Sequence, residues 1–294
     1  MSDLRIAVVI ASVGRPDSIV DLLATLRTQS RPADRIILSV GSEADLPAKD
    51  QLAGDEEIVM GEKGLPRQRN RGMELILEDC DYLVFLDDDY YATKDALKGI
   101  EAFFENNPDV AGMEGTLLAD GINGPGLSRE DALGFIQKHD ANPPPPVKII
   151  EDKAGLYGCN MAYRVSAIGE VRFDERLPLY AWQEDVDFAN QLLPKGRLVR
   201  TTAFFGVHAG VKRGRTNGVK LGYSQIANPI YLLRKGTMGR KAAYNLMGRN
   251  ILANIAKTFF AEPWVDRWGR VKGNWLAIRH MLTGKVKPEH ILKL

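Results

Sequence analysis

Three consecutive carboxylates, Asp87, Asp88 and Asp89, directly follow the apolar run 82–86 and could bind a cation. An acidic cluster at the mouth of a buried strand is costly unless positive charge compensates it. Hard divalent cations such as Mg²⁺ or Mn²⁺ take carboxylate oxygens, and substrate phosphates often supply further ligands. Asp87 and Asp89 leave one face of a continuing strand or converge across a turn. The alternative is an acidic turn or a helix N-cap after a core strand.

A second acidic segment, 182–188, begins a short predicted helix and contains Trp182, Glu184 and Asp185. A carboxylate beside aromatic residues in a cleft tends to have a raised pKa, which suits a general base. An N-cap with acidic first-turn residues is the competing interpretation. His208 follows another apolar strand, and its imidazole could complete a metal shell, although a lone histidine is more often structural.

Two glycine-containing and basic segments could approach an anion. Residues 12–16 form a turn beside a helix N-terminus, which alone is most often only a strand-to-helix connection. In 64–72, Arg67, Arg69 and Arg71 lie in the first turns of a predicted helix. Because basic residues there oppose the helix dipole, we expect a compensating group, and a diphosphate is one; ordinary surface arginines are the alternative.

Apolar strands predicted at 5–12, 34–40, 82–86 and 110–113 alternate with segments of helical periodicity such as 19–26, and further strands are predicted at 147–150 and 159–163. This alternation predicts an α/β fold with a parallel sheet covered on both faces, in which ligands bind beyond the carboxyl ends of the strands. Beyond residue 222 the pattern becomes helical and basic. We therefore expect an α/β domain in 1–222 and a basic helical extension in 223–294.

The composition of the 294-residue chain is that of an ordinary globular protein, but its charge is divided. Residues 212–294 contain 17 Lys and Arg against three acidic residues, whereas 1–211 contain 22 basic and 35 acidic residues. A basic tail on an acidic body suggests a phosphate-rich partner, and a solvated helical surface is the alternative. Two cysteines cannot form a disulfide framework, and no leader or membrane span is visible, so we expect a cytoplasmic protein.

Seven segments in this order and spacing resemble family 2 glycosyltransferases with the GT-A fold, a Rossmann-like, mostly parallel sheet with helices on both faces. The resemblance covers roughly residues 4–235. It implies that 1–222 form the catalytic domain, with a donor half of about 1–120 and an acceptor half of about 121–222. The segments are 12–16, 67–72, 85–89, 158–164, 173–175, 184–185 and His208.

The resemblance implies roles for particular residues. Asp87 and Asp89 match the metal-binding DxD motif, and His208 matches a histidine that contacts the metal or the diphosphate. Asp185 matches the catalytic base of an inverting transferase. Asp88 is expected on the donor side but away from the ion. The other expected donor-binding residues are Ala11, Ser12, Val13, Gly14, Arg15, Ser42, Arg67, Arg69 and Asn70; those on the sugar and acceptor side are Gly158, Cys159, Asn160, Trp182 and Glu184.

One departure from the family concerns the donor base. Many relatives carry an acidic residue at the end of the second strand, where this chain reads Ser39-Val40-Gly41-Ser42. The resemblance therefore implies a hexosyl- or deoxyhexosyltransferase with Mn²⁺ or Mg²⁺ and a UDP, dTDP or GDP sugar. The implied acceptor is a saccharide or a lipid-linked molecule of cell-surface polysaccharide or glycolipid assembly.

Two other functions stay open at this point, a metal-dependent phosphohydrolase or phosphotransferase and a non-catalytic nucleotide-sugar or membrane-binding protein. The aspartyl-phosphate arrangement needs an early nucleophilic aspartate, but the first strand ends in Ser12. The basic tail, with Trp264, Trp268 and Trp275 among its cations, is expected to contact an anionic membrane at the cytoplasmic face or to form a basic outer surface of packed helices. We expect no nucleic-acid partner, because no recognised module is present.

Overall fold

The computed structural model describes residues 4–212, 217–260 and 262–294. The chain forms two compact units. The first contains Met1–Lys63, Arg67–Arg172 and Leu192–Gly214, and the second contains Gly64–Pro66, Phe173–Gln191 and Arg215–Leu294.

Within the described ranges, the strands of the first unit form one nine-stranded mixed sheet. They are β1 (Ile6–Ser12), β2 (Arg35–Val40), β3 (Glu56–Met60), β4 (Tyr82–Asp87), β5 (Tyr90–Ala92), β6 (Val110–Asp120), β7 (Ile149–Asp152), β8 (Asn160–Arg164) and β9 (Arg197–His208). The order is β3-β2-β1-β4-β8-β6-β9-β5, and β7 pairs with β9. Strands β1, β2, β3, β4, β6 and β9 run in one direction, and β5, β7 and β8 run in the other. The predicted mostly parallel α/β sheet is confirmed.

Helices cover both faces of this sheet. The helices of this part of the chain are α1 (Pro16–Arg27), α2 (Leu65–Glu74), α3 (Ala96–Asn106), α4 (Arg129–Asp140) and α5 (Val165–Ile168). Because side chains alternate along a strand, Ile6, Val8 and Ile10 share one face, where they join a core cluster with residues of α1 and α3. On the other face, Gly72 of α2 packs so closely that a Cβ there would lie 2.6 Å from Val9.

Two strands are absent from the sequence prediction, and one is longer than predicted. The short strands β3 and β5 fall in segments without a strong apolar pattern. The strand predicted at 110–113 continues to Asp120 as β6, which pairs with β9 in a register containing three irregularities. These differences matter because β5 and the far end of β6 lie beside the acidic triplet.

The second unit is mainly helical, which confirms the predicted helical C-terminal region. Its helices are α6 (Glu184–Leu192), α7 (Gly218–Lys235), α8 (Arg240–Thr258) and α9 (Arg267–Leu282), followed by a 3₁₀ segment, Pro288–Lys293. Helices α7 and α9 approach closely at glycines. A Cβ on Gly222 would lie 2.1 Å from the carbonyl oxygen of Arg270, and one on Gly273 would lie 2.1 Å from that of Val219. Both positions therefore require the absence of a side chain.

Replacement of Gly273 by alanine is expected to lower the free energy of unfolding by about 1–3 kcal/mol, because the new methyl group meets backbone that cannot move aside alone. The matched control is Gly248→Ala in α8, where no atom lies within 4 Å of the added Cβ. That change is expected to stabilise the protein by up to about 1 kcal/mol through helix propensity. Urea unfolding of both variants measures the difference, and equal stability of the two would contradict the close packing.

Candidate functional site

The acidic triplet lies where β4 ends and the chain turns into β5. Strand pairing places Ala11 of β1 beside Asp87. Asp88 is fully buried, and its carboxylate accepts a 2.5 Å hydrogen bond from Ser12 Oγ and lies 2.8 Å from Arg15 Nη2. The middle carboxylate therefore anchors the loop between β1 and α1.

A second carboxylate holds the same loop from the other side. Gly14 has φ +68°, a conformation that favours glycine, and its N–H donates to Asp45 Oδ1 at 2.7 Å. Ser42 Oγ donates to Asp45 Oδ2 at 3.0 Å, and Lys63 lies 3.4 Å from the same oxygen. Burial alone would raise the pKa of Asp45, but these partners bring it below its ordinary value. The loop that contains Val13 is thus fixed at both ends.

Asp89 is brought to His208 by the pairing of β5 with β9, in which Tyr90 lies opposite His208. Asp89 Oδ1 lies 3.5 Å from His208 Nε2, and Asp89 Oδ2 accepts the N–H of Val211 at 2.7 Å. The other ring nitrogen, His208 Nδ1, lies 2.8 Å from Asp120 Oδ1. Asp87, Asp89 and His208 each offer one ligand atom, and these atoms all lie within 4.8 Å of one another.

This donor set fits a divalent cation. Carboxylates suit Mg²⁺ or Mn²⁺, and a neutral imidazole can add a nitrogen ligand. Asp120 orients His208 in the way that carboxylates orient metal-binding histidines, because it holds Nδ1 and leaves Nε2 facing Asp89. Asp87 is the most accessible of the three, with 30% of its side chain exposed, so it faces the side from which a ligand can enter.

The directions in which the pKa values of Asp89 and His208 are shifted indicate that the site stabilises positive charge. Burial alone would raise the pKa of Asp89, but contact with His208 and the charge of Arg15 bring it below its ordinary value. Burial raises the pKa of Asp88 although Arg15 opposes the change. Burial alone would lower the pKa of His208, but Asp120 and Asp89 raise it to about 10. Stabilisation of positive charge is what a cation site requires.

Asp120→Asn is expected to weaken Mn²⁺ binding by about 10–100-fold, the usual effect of losing the carboxylate behind a metal-binding histidine. Asp109→Asn is the matched control, since Asp109 forms a separate, exposed ion pair with Arg197. Titration followed by the paramagnetic resonance of free Mn²⁺ measures both affinities. Equal affinity in the two variants would show that Asp120 does not orient a ligand.

The arginines of α2 have partners within the protein. Arg69 is 2% exposed; its Nη2 donates to Asp87 Oδ1 at 3.0 Å and to the carbonyl oxygen of Gly158 at 2.8 Å. Arg67 pairs with Glu62 at 2.7 Å, and Arg71 donates to main-chain carbonyl oxygens. The expected compensation of these cations is thus supplied at least in part by the protein, and Arg69 positions Asp87.

The segment Gly158 to Asn160 lies against the triplet. The N–H of Asp87 donates to the carbonyl oxygen of Cys159 at 3.1 Å, while Asn160 is fully buried at the start of β8. Burial, with the charge of Asp87, raises the pKa of the Cys159 thiol well above its ordinary value. Cys159 therefore stays protonated, and its backbone rather than its sulfur supports the site.

Trp182, Glu184 and Asp185 belong to the second unit, where the last two begin α6. Glu184 is buried and Asp185 is half-buried, with its Oδ1 accepting the N–H of Val186 at 2.8 Å. The carbonyl oxygen of Trp182 accepts a hydrogen bond from Asn228 at 2.8 Å.

The backbone just before α6 is strained. Among the described residues, the non-glycine positions with positive φ are Leu179 (61°), Ala181 (52°) and Gln183 (76°). Such conformations persist only where the surroundings impose them, and they concentrate at functional sites. The strain directly precedes Asp185, the residue that the sequence singled out as a base.

Sequence reasoning missed three residues that build the site. Asp120 and Asp45 were not recognised, and Gln68, whose Nε2 donates to the carbonyl oxygens of Ser12 and Ser39 at 2.8 Å each, joins the ends of β1 and β2. Asp120 had a signal, since it follows the apolar residues 117–119 as Asp87 follows its own strand.

Comparison with known proteins gives a family and a fold. The model of glycosyl transferase family 2 matches residues 7–172. S. aureus TarS 1-349 in complex with UDP-GlcNAc aligns with a TM-score of 0.53 at 14% identity, over 87% of this chain and 73% of that one. The same fragment with UDP gives 0.50 at 14% identity, over 78% and 66%, and another TarS structure gives 0.52 at 14%, over 87% and 44%. In the last two comparisons this chain thus covers less than two thirds of TarS. No curated protein matches the sequence.

Proposed function

Because the chain belongs to glycosyl transferase family 2 and is therefore a glycosyltransferase, we propose that it moves a hexose or deoxyhexose from a nucleoside diphosphate to an acceptor hydroxyl with inversion. The observation that carries this proposal is the convergence of Asp87, Asp89 and His208 at the carboxyl end of β4. Ligands of open α/β sheets bind at such strand ends. The fold shared with TarS is consistent with this location.

We place the donor against the loop from Ala11 to Arg15. Ser12 and Arg15 are fixed by Asp88, and Gly14 is fixed by Asp45, so the loop needs little reordering when a nucleotide binds. The TarS structures contain UDP and UDP-GlcNAc, so a UDP sugar is the first candidate, with dTDP and GDP sugars as the alternatives. Ser42, Arg67 and Asn70 complete the proposed donor side.

Asp87, Asp89 and His208 would hold Mn²⁺ or Mg²⁺. When bound, the cation supplies charge neutralisation for the diphosphate that leaves. Arg69 holds Asp87, and Asp120 holds His208, so the protein keeps both ligand groups oriented. Because these ligand groups are already oriented, they need no reorganisation during the reaction.

Asp185 is the proposed base. In the reaction, the acceptor oxygen bonds to the anomeric carbon as the bond from that carbon to the diphosphate oxygen breaks. The acceptor proton passes to the Asp185 carboxylate, and the electron pair leaves with the diphosphate. Gly158, Cys159, Asn160, Trp182 and Glu184 are proposed on the sugar and acceptor side.

The stereochemistry of the product tests this scheme. With an α-linked donor, a single displacement gives a β-linked product or, with water as acceptor, the β-anomer of the free sugar first. Proton NMR of the anomeric signal, recorded before mutarotation is complete, distinguishes the two outcomes. An α-anomer formed first would contradict direct displacement with Asp185 as the base.

No described feature favours the phosphohydrolase alternative. The residue that ends β1 is Ser12, which is buried and donates to Asp88, so an aspartate nucleophile is missing at that strand end.

The acceptor is proposed to be a saccharide or a lipid-linked molecule of cell-surface assembly, with the enzyme in the cytoplasm at the membrane face.

A further inference from the structure

Helix α9 presents its largest apolar side chains to solvent. Trp268, Trp275 and Leu282 follow one another at intervals of seven residues, so they share one side of the helix, and Trp275 and Leu282 are 71% and 80% exposed. The opposite side is made of small residues, including Gly273 and Ala277, and is buried. The helix therefore buries its small residues and exposes its tryptophans, the reverse of a typical core-forming helix.

The interior of this helical unit contains polar side chains where apolar ones would be usual. Asn274 Nδ2 donates to the carbonyl oxygen of Gly222 at 2.6 Å and Asn274 Oδ1 accepts from Asn254 at 2.9 Å. Asn254 Nδ2 also donates to Gln225 Oε1 at 2.8 Å. Because this network fixes how α7, α8 and α9 pack, the tryptophans cannot turn inward without breaking it.

Aromatic side chains are also exposed just before α9 in the sequence. Phe259 and Phe260, at the end of α8, are 80% and 79% exposed, and Trp264 is also exposed. Isolated apolar side chains on a surface are ordinary, but a set of exposed aromatic residues on one helix and in the segment before it marks an interaction surface. We name Trp268, Trp275 and Leu282 with the adjacent Lys272 and Arg279 the α9 outer face.

Charge around the α9 outer face is positive. Between residues 240 and 282 there are eight Lys and Arg and two acidic residues, Glu262 and Asp266. Glu262 is paired with Lys257 and Arg267, and Asp266 caps α9 by accepting the N–H of Gly269 at 2.7 Å. The acidic groups are therefore engaged locally and do not neutralise the outer face.

Cations and tryptophans alternate on this face. Lys272 and Arg279 are exposed and seven residues apart, and the Lys272 ammonium lies 5.9 Å from the centre of the Trp268 ring. Tryptophan favours the boundary between lipid headgroups and acyl chains, while lysine and arginine bind anionic headgroups. A second copy of the chain fits poorly, because a symmetric contact would bring the cations of the two faces together.

We propose that the α9 outer face binds the surface of an anionic lipid bilayer, with Trp275 and Leu282 entering the headgroup region and Lys272 and Arg279 contacting lipid phosphates. No helix among the described residues is long and apolar enough to cross a bilayer, so the contact is interfacial. The inference depends on the helical unit alone and stands whether or not the proposed transfer reaction is correct.

Flotation of the full chain with vesicles tests the proposal. The protein is expected to float with phosphatidylcholine vesicles containing phosphatidylglycerol, to bind pure phosphatidylcholine more weakly, and to dissociate as salt is raised. Trp275→Ser/Leu282→Ser and Lys272→Glu/Arg279→Glu are each expected to weaken binding by about tenfold or more. The matched controls are Phe135→Ser/Val147→Ser and Lys98→Glu/Lys138→Glu, which change residues of the first unit that are also exposed.

Two further readouts separate lipid contact from other causes. Brominated lipids are expected to quench tryptophan emission, and Trp275→Phe is expected to remove much of that quenching while flotation persists. Circular dichroism and thermal unfolding check that each variant is folded. The proposal is overturned if folded wild-type protein does not float with anionic vesicles, if the controls weaken flotation as much as the α9 variants, or if ultracentrifugation shows a dimer that the α9 variants dissociate while flotation is unchanged.

Discussion

Replacement of Asp185 by asparagine is expected to lower the rate of sugar transfer by at least about 10²-fold, the usual effect of removing a general base. The change keeps the size of the side chain and its ability to accept the Val186 N–H, so the start of α6 should remain intact. Nucleotide binding in the presence of Mn²⁺ should also remain, because the cation ligands are Asp87, Asp89 and His208. The measurement is turnover under saturating donor, with nucleotide affinity by calorimetry on the same preparation.

Glu170→Gln is the matched control for Asp185→Asn. It also neutralises a carboxylate, but Glu170 is exposed and is not among the proposed site residues. Its turnover is expected to match the wild type. Normal turnover by Asp185→Asn would remove this residue from the role of base. An equal loss of turnover and of nucleotide affinity would assign it to donor binding instead.

Asp89→Asn is expected to abolish the Mn²⁺-dependent part of nucleotide binding, with a loss of more than about 100-fold in affinity. The estimate rests on the 10–100-fold effect of changing only the groups behind a metal ligand. Asparagine fills the same space, and its carbonyl oxygen can still accept the Val211 N–H, so the loss reports charge and ligation rather than unfolding. Calorimetry with the diphosphate, with and without Mn²⁺, gives the metal-dependent difference directly.

The neighbouring carboxylate provides a contrast within the triplet. Asp88→Asn is expected to act mainly on stability, because Asp88 is fully buried against Ser12 and Arg15. Removing one partner of a buried ion pair is strongly destabilising.

An unchanged Mn²⁺-dependent affinity in Asp89→Asn would refute the assignment of Asp89 as a metal ligand.

The position of the metal site could be predicted from sequence because its main parts have local signals. The short apolar run Tyr82 to Leu86 is typical of a buried strand, and the aspartates that follow then lie at its carboxyl end. His208 ends a second apolar run in the same way. What the sequence lacked was the register of β6 on β9, which places Asp120 opposite His208 after three irregularities. Register over such distances depends on packing rather than on local pattern.

The basic residues of α2 have partners within the protein that sequence reasoning did not identify. The arginines of α2 suggested a diphosphate because basic residues in the first turns of a helix oppose its dipole. In the fold, Arg69 reaches Asp87, which lies on a different element, and Gly158 beyond it. A single sequence carries no signal for a contact between residues so far apart along the chain.

The helical extension gives the opposite lesson. A heptad of Trp268, Trp275 and Leu282 normally predicts a buried seam, yet here this side is exposed and the glycine side is buried. The packing of Gly222 and Gly273 decides the matter, because only a face without side chains allows α7 and α9 to approach so closely. The seven-residue spacing defines this stripe, and the glycines determine which way it points.

The most direct test of the central claim is a thermal unfolding panel with UDP, dTDP and GDP, and with their sugars, each with and without Mn²⁺. A ligand that binds only the folded protein stabilises that protein. The stabilisation grows with the logarithm of the ratio of ligand concentration to dissociation constant. The expected result is a rise in unfolding temperature for one nucleotide class that requires Mn²⁺ and disappears in Asp89→Asn. The absence of a metal-dependent rise with all three classes would contradict the proposal that Asp87, Asp89 and His208 form the donor site of a nucleotide-sugar transferase.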